Sequence, residues 1–142
     1  MNSTIFFNLF YYKTNFRDLN DQISEAKAAA GLGNVHLSIG DLSNALKYHE
    51  LDLRLSSEFE DSVGKIRAFG NLGSTMEAIG NREESIKMFD RQLSVAVQMG
   101  DHVGQTIALG SLGKIRTRLS QQLTTDSNIN LFLGFVRFSK FS

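Results

Sequence analysis

The sequence predicts an all-α solenoid of stacked helical hairpins, about two and a half of them, and three observations predict it. Residues 21–119 repeat themselves every forty positions. Within the repeat, apolar and small residues return every three or four positions, the period of an amphipathic helix. Glycine followed by Asp or Asn punctuates the runs, in a chain of 142 residues that contains no proline to mark its turns.

The first unit, 21–60, opens at Asp21 and carries Ala28, Leu32-Gly33, Gly40-Asp41, Ala45-Leu46, Leu53 and Phe59. The second unit, 61–100, repeats these as Asp61, Ala68, Leu72-Gly73, Gly80-Asn81, Ser85-Ile86, Leu93 and Met99. Its first half sets Val63, Ile66, Phe69, Gly70, Gly73, Met76 and Ile79 on one helical stripe, with Asp61 placed as N-cap. Gly80 closes that helix, because a C-terminal cap adopts a left-handed backbone that glycine accepts without strain. Asn81 caps the next helix, Glu83 and Glu84 favour its dipole, and Ile86, Phe89, Leu93, Ala96 and Val97 form its apolar stripe up to Gly100.

A third unit begins with Asp101, Ala108 and Leu112-Gly113 and ends at Leu119, after which no residue is expected to follow the template. Residues 121–128, rich in Gln, Thr, Asp, Ser and Asn, are expected to form a polar loop, with Ile129, Phe132, Leu133 and Val136 returning at helical spacing beyond it. Glycine recurs inside the first helices as Gly33, Gly70 with Gly73, and Gly110 with Gly113, and Ala30 takes the remaining place. An internal glycine costs a helix about 1 kcal/mol relative to alanine, so its repetition predicts close approach of a neighbouring helix.

The ends obey other rules: eight of the eleven phenylalanines lie in segments 1–20 and 120–142, outside the repeat. They read either as caps over the open ends of a short solenoid or as unrelated sequence standing where flanking repeats would be, and the second reading is preferred because arrays usually need three units or more. The apolar run from Ile5 to Tyr12 is interrupted by Asn8 and has no basic residue before it, so no signal peptide is expected. Neither end supplies the roughly 18 apolar residues of a membrane span.

Charge and composition narrow the function. Fifteen basic and fifteen acidic residues cancel, which leaves no field to draw the chain to nucleic acid. The absence of cysteine excludes disulfides and thiolate metal sites and fits a cytoplasmic location. His36, His49 and His102 lack metal-ligand spacing, and His49 stands where the second unit has Phe89, so it is expected to pack in the core. Gly31-Leu32-Gly33 lies within a helical pattern and lacks the third glycine of a dinucleotide loop. No catalytic constellation and no cofactor are expected.

The lines Ala28-(x)3-Leu32-Gly33-Asn34, Gly40-Asp41 and Ala45-Leu46-Lys47-Tyr48-His49-Glu50 resemble a tetratricopeptide repeat. The forty-residue unit, with Arg67-Ala68-Phe69-Gly70-Asn71-Leu72-Gly73 and Gly100-Asp101, is similar to the Pins/LGN type of G-protein signalling modulator and to long metazoan scaffolds of the same unit. The chain departs from that pattern at Ser74 and Lys114, where asparagine is usual, and at His36, Met76 and Arg116, where an aromatic is usual. The resemblance implies a concave groove lined by the first helices, and with it the contact residues Lys27, Asn34, Arg67, Asn71, Ser74, Ser111 and Lys114. Amides can pair with an extended peptide backbone and Arg can clamp carboxylates, although the same residues would also suit a solvated helix face. The expected function is a non-catalytic adaptor that holds a peptide segment of a protein partner, in cortical polarity assemblies if the subfamily resemblance holds. The alternative is a structural segment that self-associates through its uncapped ends.

Overall fold

A computed structural model describes residues 4, 5, 7 and 22–139 of the chain, with side-chain surroundings through residue 133. Asp21 and most of the N-terminal Phe-rich segment lie outside the described residues, and with them the expectations for those positions. From Gln22 onward five helices follow one another: α1 (Gln22–Ser38), α2 (Leu42–Glu58), α3 (Ser62–Ile79), α4 (Arg82–Met99) and α5 (His102–Ser139). Each packs on its predecessor, and α1 also reaches α3. Two hairpins, α1–α2 and α3–α4, are thus stacked with the start of a third.

The turns form where Gly-Asx punctuation places them. Gly40, Gly80 and Gly100 take φ of 78°, 91° and 68°, the left-handed region that L side chains avoid. Asp41, Asn81, Asp61 and Asp101 cap the helices that follow, each side chain accepting from the amide three residues on: Asn44, Glu84, Gly64 and Gly104. At the remaining junction, Glu60 stands where the second unit has Gly100, and it is the non-glycine residue with positive φ (53°) among those described.

The helical glycines set how closely each hairpin closes. A methyl group at Gly33 would clash with the imidazole of His49, and one at Gly73 would lie 2.7 Å from the Phe89 ring. The two contacts are the same contact one repeat apart. At Gly70 the methyl would lie 2.6 Å from the Gln92 amide. Phe89 then completes a cluster with Leu112 and Ile115, against which Ile86, Leu93 and Leu119 pack.

Not every apolar residue of the expected stripes is inside. Val63, Ile79 and Val97 are exposed, whereas the buried line of α3 is Gly64, Ile66, Ala68, Leu72, Gly73 and Thr75. A helix held between two neighbours needs small residues on its contact lines, and bulk moves to the margins. Polar residues are buried as well: His49, Asp52, Ser56, Thr75, Ser85 and Gln92.

The expected polar loop at 121–128 does not form, and α5 runs unbroken across it and across the expected unit boundary at 119/120. The reason is local. Where the first two units carry Gly40-Asp41 and Gly80-Asn81, this one carries Ser120-Gln121, which supplies neither the left-handed glycine nor a good N-cap. The hydroxyls of Ser120, Thr124 and Thr125 donate to the carbonyls of Thr117, Ser120 and Gln121, the local bonding by which such residues are accommodated inside a helix.

Relieving the strained junction should stabilise the fold. Glu60→Gly removes a left-handed penalty of about 1 kcal/mol and is expected to raise the urea midpoint, with the m-value unchanged.

Candidate functional site

Forty-residue spacing arranges the seven candidate contact residues in three rows across successive first helices. Asn34, Ser74 and Lys114 form one row and are all exposed, at equivalent places on α1, α3 and α5. Asn71 and Ser111 form a second row, both half-buried, and Lys27 and Arg67 begin a third that ends in the exposed Ile107. The structure therefore gathers these residues into related positions, but it treats them differently.

Arg67 is held internally. Its Nε donates to Asp52 Oδ2 at 3.2 Å and its Nη2 to Asp52 Oδ1 at 2.7 Å, a two-point clamp between α3 and α2. Asp52 is fully buried and the Arg67 side chain is 27% exposed, so only the remaining edge of the guanidinium reaches solvent. Ser56 adds a hydroxyl donated to Asp52 Oδ1 at 3.2 Å. Asp52 was invisible as a functional position in the sequence, and its one signal is a polar residue at the same place in both units, Asp52 and Gln92.

Asn71 stands otherwise. Its Nδ2 is buried and has no hydrogen-bond partner, an unmet donor on the first helix of the second hairpin. Ser74 donates its hydroxyl to the Gly70 carbonyl at 3.1 Å, which leaves its oxygen free to accept. Asn34, Lys27 and Lys114 are exposed on their helices.

His36 and His49 are structural. His36 Nδ1 lies 3.0 Å from Asp41 Oδ2, and its ring stacks on Tyr48 at 5.3 Å between centroids, pinning the end of α1 to the start of α2. Hydrogen bonds from the Asn44 side chain and amide, with His36 adding to them, hold the Asp41 carboxyl below its ordinary value. His49 is fully buried with neither ring nitrogen paired, and burial pushes it down from 6.5 to about 4. It fills the place of Phe89, as the repeat predicts. Among the described residues no cluster of His, Asp and Glu could hold a metal ion, and no helix is long and apolar enough to cross a membrane. A shallow depression on α2, lined by Lys47, Tyr48, Glu50, Leu51 and Arg54, includes none of the candidate residues.

Two measurements test these assignments. Because the folded-state value of His49 is depressed, the unfolded chain takes up the extra proton, and the stability it carries is complete above pH 6.5 and declines as pH falls toward 4. Thermal melts should show that decline in the wild type and a flatter profile in His49→Phe. Arg67→Ala leaves a buried carboxylate without its partner and is expected to cost about 3–5 kcal/mol in urea unfolding, far more than an exposed groove residue would.

Compared with known proteins, the chain matches a family model described as Tetratricopeptide repeat over residues 28–62 and 68–103, together half of its length. No curated protein matches it.

Proposed function

The chain belongs to the tetratricopeptide repeat family, and from that premise we infer that it is a non-catalytic adaptor whose first helices hold a segment of another protein. Repeats of this family generally mediate protein–protein interactions and typically carry no catalytic machinery. The observation that supports a peptide ligand here is the row Asn34, Ser74 and Lys114, exposed at matching places on three successive first helices, with the unpaired Nδ2 of Asn71 beside it. An extended backbone offers carbonyls and amides at regular intervals, and amide, hydroxyl and ammonium groups repeated along a surface can meet them in series.

The ligand surface excludes most of Arg67, whose guanidinium is spent on Asp52. Asn71 is the sharper candidate, because turning its half-buried side chain outward would offer a ligand a donor that has no partner within the fold. The likeness of Arg67-Ala68-Phe69-Gly70-Asn71-Leu72-Gly73 to the Pins/LGN unit directs the first search to segments of cortical polarity and spindle-orientation proteins. Binding to Gα subunits is not carried over, since the motifs responsible in that family lie outside its repeats. A cytoplasmic location, at the cell cortex where such partners assemble, accompanies this reading.

The test is a comparison of partners captured from lysate by the wild type and by Asn34→Ala/Asn71→Ala/Ser74→Ala, quantified by mass spectrometry. The triple variant should keep its helical circular dichroism and lose at least tenfold in its specific partners. Equal capture by both proteins would reject a groove on the first helices.

A further inference from the structure

The last helix is two halves with different surroundings. Residues 102–119 pack on α4 through Ala108, Leu112 and Ile115, all buried. Residues 120–133 are all exposed, including Ile129, Phe132 and Leu133. Arg82 meets Gln122 at the base of this projection. A projecting helical segment whose described residues, 120–133, are all exposed is marginal in water, and its apolar surface adds to the cost.

The described hairpins show what such a face is for. Gly33 meets His49 sixteen residues on, Gly73 meets Phe89 sixteen residues on, and Gly70 meets Gln92 twenty-two residues on. Gly113 and Gly110 occupy the same places in the third unit, yet a methyl at either would touch nothing within 4 Å. Sixteen residues beyond Gly113 is Ile129, and twenty-two beyond Gly110 is Phe132. The match extends along the helix. Four equivalent positions are buried in both second helices: Ala45, His49, Asp52 and Ser56 in α2, then Ser85, Phe89, Gln92 and Ala96 in α4. Forty residues further on in the sequence they are Thr125, Ile129, Phe132 and Val136, three of them apolar. Ser85 donates to the Gly73 carbonyl at 2.8 Å, and Thr125 brings a hydroxyl to the equivalent place for Gly113. Met76 and Ile86, at matching heights on the two helices of the second hairpin, become Arg116 and Asp126, so the third pair is charge-complementary where the second is apolar.

We propose that the open face of α5 around Gly110 and Gly113 is the docking site for this chain's own residues 122–139, which fold back at Ser120-Gln121 as the second helix of a third hairpin. The extended helix is the open form of that unit. Ser120-Gln121 makes closure reversible, because it lacks the Gly-Asx pair that holds the other two turns shut. The two halves must bend to meet: in one continuous helix, positions 113 and 129 point to nearly opposite sides at about 100° per residue, so two straight copies of α5 cannot satisfy both glycine contacts reciprocally.

The chain contains no cysteine, so a spin-label pair can be placed on the full-length protein at Thr106→Cys and Asn130→Cys, both exposed sites. In the extended helix the two backbones are about 36 Å apart at 1.5 Å per residue, and closure brings them within about 20 Å on helices packed 8–10 Å apart. Electron–electron distance measurement should show a short population that grows several-fold in Ser120→Gly/Gln121→Asn and disappears in Gly113→Leu, whose added side chain enters open space in the extended form and leaves α1–α4 intact. A single distance near 36 Å in the Gly-Asn variant would overturn the proposal. So would a short distance that vanishes on dilution with unlabelled protein, since the docked segment would then come from a second copy. None of these outcomes depends on the peptide groove, whose failure is read separately by partner capture.

Discussion

The close approach of each hairpin's helices at a missing Cβ is the contact from which the rest of the structure follows. At Gly33 and at Gly73 the second helix inserts a ring where an alanine would have a methyl group, and that insertion sets both the separation and the axial register of the pair. Glycine costs the first helix stability of its own, and the repetition of the cost at a fixed period is intelligible only as the condition for this packing. Once it is met, Phe89 is placed to touch Leu112 and Ile115 of the following helix, so a contact within one hairpin also builds the contact to the next.

A core made this way has an unusual interior. The inner positions of α2 are Ala45, His49, Asp52, Leu55 and Ser56, of which three are polar, and those of α4 are Ser85, Met88, Phe89, Gln92 and Ala96. Polar groups survive there because most are satisfied in place: Asp52 by Arg67 and Ser56, Ser85 by the Gly73 carbonyl, Thr75 by that of Asn71. Gln92 Oε1 and both ring nitrogens of His49 are exceptions, and His49 tolerates burial by giving up its charge.

The hairpin order, the caps and the turns were legible in the sequence because each is a local event with its own residue type: Asp41, Asn81 and Asp101 at helix starts, Gly40, Gly80 and Gly100 at left-handed turns. The unbroken α5 was not legible, since a polar composition at 121–128 resembles a loop while the hydroxyls that keep it helical bond only to their own helix. The correspondence of Thr125, Ile129 and Phe132 with Ser85, Phe89 and Gln92 was hidden for a different reason. With His49, Asp52, Ser56, Ser85 and Gln92 at inner positions, hydrophobicity does not mark the inside of the second helices, and only coordinates identify which positions to carry forward. The same limit applied to Arg67, which the sequence offered for a ligand and the fold engages with a carboxylate fifteen residues away.

The Asp52–Arg67 clamp joins the first hairpin to the second, whereas the equivalent places between the second hairpin and α5 are Gln92 and Ile107, a pair with no charge. Neighbouring units of a solenoid are therefore coupled unequally. The two junctions differ in kind: a buried charge pair fixes the first, and the second rests on the cluster of Phe89, Leu112 and Ile115 with exposed polar contacts from Arg118 to Glu77 and from Arg82 to Gln122. The array is directional in the chemistry of its junctions as well as in its sequence, ionic at one and apolar at the other.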